Sequence, residues 1–354
     1  MQFGWLTLAH SPSPEADHAG IFEQLDQACL AEALGFDEVW LTEHNFTGES
    51  VYCDPIPFAA ALAMRTSRIR IGFAVIQMTL RHPVRLATQL SLLDNLCNGR
   101  LDVGIGRGTI FNEYEFVGYG LRSDDARERM AETLDVMTRC WTATPFEHTG
   151  TYFKVRVPEL RPAPVQKPHP PLWHSAASPG SFRACGERGA LLMTLRLPLG
   201  QIANRLGQYR EGLDASGLGD AQQKELVRKA AIWRWVYVGE SRAEAEDQLS
   251  AALIETRRHM VHAREDLNPG DFRVDPNLLN PWTDPHVSDE EGLKFALGSG
   301  ALIGTADDVA GQVAAMRDAG CGHVLCQMSF GYLGHERITA SMRRFAEGVI
   351  PRFR

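Results

Sequence analysis

Eight short apolar runs, rich in β-branched or aromatic residues, recur along the chain with segments of helical period between them. They begin at Phe3 (FGWLTLA), Glu38 (EVWLT), Ile69 (IRIGFAVI), Leu101 (LDVGIG), Pro171 (PLWHSA), Ala190 (ALLMT), Ala231 (AIWRWVYV) and His323 (HVLCQM). The runs are mostly apolar and do not alternate, the pattern of parallel strands covered on both faces. The segments between them space apolar residues to line one helix face. These are Ile21, Leu25, Ala28 and Leu34 before Gly35; Val84, Ala87, Leu90 and Leu93; Met130, Leu134 and Met137; and Val309, Val313 and Met316 before Gly320. A glycine closing such a segment is a helix C-cap. An open doubly wound sheet usually stops at about six strands. Eight strand-helix units therefore predict a closed (β/α)8 TIM barrel, one α/β domain over 1–354.

Two stretches break the repeat. Thr142 to Pro171 carries Pro145, Pro158, Pro162, Pro164, Pro168, Pro170 and Pro171, and is expected to wrap over the surface before the fifth strand. His262 to Gly292, after the seventh strand's helix, is polar and rich in Pro, Asn and Asp. A loop of that length in a compact domain is a lid or a disordered segment, and 262–292 is read as a lid.

The formal net charge of the 354-residue chain is -8, with no basic run. That disfavours nucleic acid and anionic membranes as partners, and a negatively charged cofactor would need a local basic pocket. The seven cysteines are odd in number and scattered, with no C-x-x-C. This argues for a reducing, cytoplasmic setting without a disulfide framework or zinc site. No uncharged apolar stretch reaches ~18 residues, and the first residues lack the features of a secretory signal.

In a barrel of this kind, chemistry gathers at the C-terminal strand ends. After the second strand stands Thr42-Glu43-His44-Asn45, where His44 is a candidate general base; by position alone it reads equally well as a structural histidine. After the fourth strand, Gly104, Gly106 and Gly108 allow close backbone approach to a planar or phosphorylated ligand, and Arg107 offers a fork for phosphate. The spacing does not match a dinucleotide fingerprint, and a tight turn with a surface arginine fits the same string. After the fifth strand, Ser178, Gly180 and Ser181 precede a helix, which suits an anion site or an ordinary serine cap. His259 and His262 lack the third ligand of a metal set. Trp233 and Trp235 on the seventh strand either wall a flat cofactor or pack in the core.

Taken in order, three segments resemble the bacterial luciferase-like flavin-dependent monooxygenases: AEALGFDEVWLTEHNF (Ala31 to Phe46), RHPVRLATQLSLLDNLCNGRLDVGIGRG (Arg81 to Gly108) and IGTADDVAGQVAAMRDAGCGHVLC (Ile303 to Cys326). The resemblance extends over essentially the whole chain. It implies a barrel that takes reduced FMN as co-substrate from a separate reductase. Oxygen adds to that flavin, and the flavin peroxide attacks a small organic substrate. It further implies a homodimer, with the segment from Ile56 to Met64 and the helix from Val84 to Leu96 as candidate interface. By the same resemblance His44 is the catalytic histidine, and Glu113 an acidic position near the flavin ring. Gly106, Arg107 and Gly108 form the phosphate-binding turn, Arg127 is a second phosphate-proximal arginine, and Ser178 and Ser181 close on the phosphate. Ala74 and Val75 lie against the ring, often through a non-proline cis peptide. No metal is implied. Asn45 replaces the second histidine of luciferase, and Gly106 its reactive cysteine, which points to a non-luminous relative. Two further readings stay open: hydride transfer with a deazaflavin, and a non-catalytic flavin carrier or partner subunit.

Overall fold

The computed structural model describes residues 1–330 and 332–354. In chain order the elements are β1 (Gln2–Thr7), α1 (Asp17–Ala33), β2 (Glu38–Leu41), α2 (Pro55–Arg65), β3 (Arg70–Gln77), α3 (Pro83–Leu96), β4 (Leu101–Gly106), α4 (Glu113–Gly118) and α5 (Ala126–Thr142). Then come β5 (Phe146–Thr149), β6 (Lys154–Val157), β7 (Leu172–Ala176), α6 (Pro179–Glu187), β8 (Leu191–Thr194), α7 (Leu199–Asp214), α8 (Asp220–Lys229) and β9 (Ala231–Val238). The remainder is α9 (Arg242–Leu267), α10 (Asp289–Gly300), β10 (Ala301–Gly304), α11 (Ala306–Asp318), β11 (His323–Ser329) and α12 (His335–Gly348). No helix among the described residues is long and apolar enough to cross a membrane.

The eight runs read from the sequence are the eight staves of a closed parallel barrel, in the order β1-β2-β3-β4-β7-β8-β9-β11, with β11 returning to β1. A ninth strand was not anticipated. β9 is eight residues long; it pairs with β8 through Ala231 and Ile232, and with β10 through Trp235 to Val238. The proline-rich stretch does not merely wrap the surface, since it contains the antiparallel hairpin β5-β6.

Trp40 and Trp173 fill the barrel interior with Leu6, Met193, Ala231 and Leu325. Trp40 fits because its flanks are glycines. A Cβ on Gly4 would meet its ring at 2.7 Å, and one on Gly72 at 2.5 Å. Beneath these rings, at the N-terminal strand ends, lies a polar layer. Arg70 Nε is 2.5 Å from Asp102, and His323 Nε2 is 2.7 Å from Glu38. The indoles of Trp40 and Trp173 donate down to Glu38 (3.1 Å) and Asp102 (3.0 Å). Burial alone would push the Glu38 carboxyl up, yet His323, with the Trp40 indole and Arg70, outweighs it and holds the group below its usual range.

The opposite end is covered by one insertion between β9 and β10. α9 has 26 residues, so it runs about 39 Å. Along its length it meets three C-terminal strand ends in turn. Tyr237 of β9 donates to Glu244 (3.2 Å). The ring of His259 packs on His10, which follows β1 (4.6 Å). Arg264 donates to Asn112, which follows β4 (2.9 Å). The helix therefore lies across the barrel mouth. The sequence reading placed a loop over 262–292, but both of its ends are helical: α9 continues to Leu267, and α10 begins at Asp289, capped by Ser288. The shorter connection returns over the mouth, where Arg257 holds the carbonyls of Asp284 (2.7 Å) and Val287 (2.6 Å).

Candidate active site

His44 stands two residues beyond Thr42, whose hydroxyl donates to the Thr7 carbonyl and so ties the end of β2 to β1 (3.0 Å). Its neighbour Glu43 turns the other way, toward Arg81 (2.6 Å) and the backbone of Gln77 (2.9 Å). The imidazole sits between two carboxylates. Nδ1 is 3.3 Å from Glu115, and Nε2 is 3.6 Å from Glu49. Glu115 is fully buried and collects further donors: Gln77 Nε2 (2.6 Å), Asn112 Nδ2 (2.7 Å), Asn45 Nδ2 (3.1 Å) and Asn45 N (3.2 Å). Burial opposes this charge, but the surrounding donors hold Glu115 below the usual carboxylate range.

The same carboxylates act on His44. Burial would depress it, yet Glu49 and Glu115 prevail and raise it to about 9. The sequence suggested a general base near neutral pH. Between these carboxylates the protonated form is favoured at neutral pH, and the buried Glu115 sets the orientation of the ring.

Glu113, singled out from the sequence, is not brought to His44. Its carboxylate accepts from Ser123 N (3.2 Å) and pairs with Arg122 (3.2 Å). On a helix, two residues of separation put side chains about 200° apart, so Glu115 faces His44 where Glu113 faces the loop that leads into α5. Sequence reasoning also missed Glu49, Gln77, Asn112 and Arg264. Only a helical projection of Asn112-Glu113-Tyr114-Glu115 carried a signal.

A second cluster lies beside the first. Gly106 ends β4, and a Cβ there would strike Val75, so turn and strand touch closely. The Ala74–Val75 bond is cis. Both residues border the interior cluster of Trp40 and Trp173. Gly108 has φ +95° and lies against Gln77 and Phe116 (both 2.8 Å from a Cβ placed there), so only glycine fits without strain. Arg107 is half-buried and held below its usual range, first by burial and then by the charge of Arg127. Among the described residues no carboxylate answers either guanidinium. The half-buried Arg107 and the exposed Arg127 make this turn locally positive.

Next to β4 stands β7, joined to it through Val103↔Leu172 to Ile105↔His174. The α6 that follows β7 opens with a capping box. Ser181 N donates to Ser178 Oγ (3.3 Å), and Ser178 N to Ser181 Oγ (3.0 Å). The two hydroxyls thus serve the helix cap; Pro179 has no N–H and those of Ser181 and Phe182 turn back to Ser178, which leaves the Gly180 N–H as the free donor of the first turn.

A family model described as luciferase-like monooxygenase matches residues 1–323. The chain belongs to the luciferase-like monooxygenase family. Along its whole length it is 24% identical to the oxygenase component of a flavin-dependent trigonelline monooxygenase of Acinetobacter baylyi, covering 96% of that protein. Over 49% of its length it is 31% identical to an F420-dependent glucose-6-phosphate dehydrogenase of Microbacterium testaceum, covering 52% of that protein. Among solved structures, the monooxygenase RslO1 of Streptomyces bottropensis superimposes with a TM-score of 0.81 at 27% identity, each chain covered completely. The oxygenating constituent of 3,6-diketocamphane monooxygenase of Pseudomonas putida shares the fold, with a TM-score of 0.77 at 20% identity over 100% of this chain and 99% of that one. Family membership thus agrees with a barrel whose polar groups gather at the mouth.

Proposed function

We propose that the protein is the oxygenase of a two-component system, taking reduced FMN from a separate reductase and using oxygen to oxygenate a small organic substrate. One observation carries this reading. A carboxylate-held imidazole and a pair of arginines without carboxylate partners share one rim of the barrel, the rim that α9 crosses. The residues present fit a flavin mononucleotide. Arg107 and Arg127 match its phosphate in charge, the Gly180 N–H at the start of α6 adds a donor, and Gly106, lacking a Cβ, lets Val75 pack directly on the turn beside them. When bound in reduced form, the flavin supplies the two electrons that bring oxygen to reaction with the substrate.

This chain's residues do the rest. Arg107 and Arg127 bind the phosphate, while Ala74 and Val75 support the ring. His44 delivers a proton, Glu115 keeps it oriented, and α9 with the loop behind it excludes bulk water. We further infer a homodimer through α2 and α3, whose outer faces leave Met64, Leu92 and Leu96 exposed.

Anaerobic titration with reduced FMN and, in parallel, with reduced deazaflavin tests the reading. Preferential binding of FMN, with product carrying label from 18O-oxygen, is the expected result. Preference for the deazaflavin, with no incorporation, would move the assignment to hydride transfer, as in the Microbacterium relative. Binding of neither would point to a non-catalytic subunit.

A further inference from the structure

Arg196 follows β8 at the barrel mouth, and its surroundings are built for it. Its guanidinium carbon lies 3.7 Å from the ring centroid of Trp235, 4.8 Å from that of Trp233 and 5.8 Å from that of Trp282. Trp233 and Trp235 belong to the neighbouring stave β9, and Trp282 comes from the cover. The rings pack on one another, Trp235 to Trp282 at 4.9 Å and Trp233 to Trp235 at 6.0 Å. The aliphatic stem of Arg196 rests on Gly300, where any Cβ would collide with it. Trp233 itself carries an indole N–H that is buried and has no partner.

The charge, unlike the stem, is left unanswered. Among the described residues Arg196 has no carboxylate in reach and donates no hydrogen bond; the charge that acts on it is another arginine, Arg234. Arg234 in turn is engaged by the carbonyls of Ser299 (3.0 Å) and Leu197. Burial first, and Arg234 second, lower Arg196 to about 9, so it stays a cation at neutral pH. Stacking on indoles uses the face of a guanidinium and leaves its in-plane N–H fork open. That fork matches a carboxylate.

We propose that Arg196 anchors a carboxylate of the organic substrate, and that the enzyme acts on flat ring acids whose ring lies against Trp233, the half-buried indole of the three. The anchor stands on β8 and β9, across the mouth from His44 and apart from the β4–β7 side that holds Arg107. It therefore orients the substrate without competing for the flavin phosphate. The proposal rests on the oxygenase reading for its meaning, but the binding it predicts requires no flavin.

The test is equilibrium binding of 2-naphthoate and of the uncharged 2-naphthamide to the flavin-free protein, followed by tryptophan fluorescence and calorimetry. Reduced-FMN binding is measured alongside. The acid is expected to bind about 30-fold more tightly than the amide, the effect of one charge-assisted pair. Arg196→Met should erase that preference while leaving affinity for the amide and for reduced FMN within about two-fold. Arg196→Lys, which keeps stem and charge but lacks the fork, should recover part of it. Equal binding of acid and amide by the wild-type protein, or no binding of the acid, would overturn the proposal without need of any variant. So would a preference that survives in Arg196→Met. If Arg196→Met instead lowers reduced-FMN affinity and loosens the cover, seen as faster amide exchange over 268–288, Arg196 is a pin for the loop. Should the acid bind through Arg196 while reduced FMN does not bind, the oxygenase reading fails and the anion site stands. The reverse result sinks this proposal alone.

Discussion

The two ends of the barrel handle charge in opposite ways. At the N-terminal end the charges of the buried layer are paired: Arg70 with Asp102, His323 with Glu38, and two indole N–H groups donating to the same carboxylates. At the C-terminal end His44 and Arg81 have carboxylate partners, but among the described residues none stands within salt-bridge distance of Arg107, Arg127 or Arg196. A buried pair whose partners are both present is tolerated, whereas a lone buried charge is costly. The closed end is therefore a part of folding, whereas the arginines of the open end keep charges that no carboxylate of the described residues answers.

The contrast can be broken or sharpened by substitution. The largest effect is expected from Glu38→Ala, which strips His323 and the Trp40 indole of their acceptor. Loss of one member of a buried pair costs about 3–5 kcal/mol, measurable by urea unfolding, while the folded fraction should bind reduced FMN normally. A mild loss would mean that His323 simply sheds its proton and that the lower layer is less committed than its geometry suggests. Next comes the double change Arg107→Ala with Arg127→Ala. Affinity for reduced FMN should fall by about 100-fold with no loss of stability, since a like-charge pair is removed. Loss of stability without loss of binding would assign these cations to the fold.

Glu115→Gln probes the answered imidazole at the mouth. With the carboxylate gone, the titration of His44, followed by NMR, should move from about 9 toward its ordinary 6.5. The sign follows from the two shifts. The raised His44 contributes stability that is complete below its ordinary value and lost as pH rises through about 9. The lowered Glu115 contributes above its ordinary 4.5 and loses that contribution as pH falls below it. The pair therefore works between those limits, and the alkaline limb of activity should shift down in the variant. An unmoved His44 would transfer the credit to Glu49. The smallest effect is expected from Ser181→Ala, about 1 kcal/mol of cap stability with only a few-fold loss in flavin affinity. A loss beyond ten-fold would show that the hydroxyl itself meets the phosphate.

Much of the closed end was legible in the sequence because double-sided burial leaves long apolar runs, and each of the eight runs starts within one residue of a barrel strand. β10 escaped because four residues ending in glycine carry no such signature; its pairing is supplied by the upper half of β9. The mouth was read only in part. Glycines and an arginine in one turn are visible as letters, and Arg107 is where the spacing put it. Glu115 was hidden because its importance lies in five donors drawn from β2, β3 and α4, a convergence that no local window contains. Arg196 was hidden for the opposite reason: what distinguishes it is the lack of a partner, and absence leaves no pattern in a string.

The cover over the mouth departs from β9 and returns to it, since α9 leaves the end of that strand and β10 pairs with its upper half. Both attachment points thus belong to a single stave of a ring closed by its other strands. Swinging the insertion outward breaks side-chain contacts such as Trp282 on Trp235 and Arg264 on Asn112, but no hydrogen bond between the other seven staves. The molecule is built like a cask whose bung hangs from one plank: it can be opened, or refitted to another cargo, while the hoops stay tight.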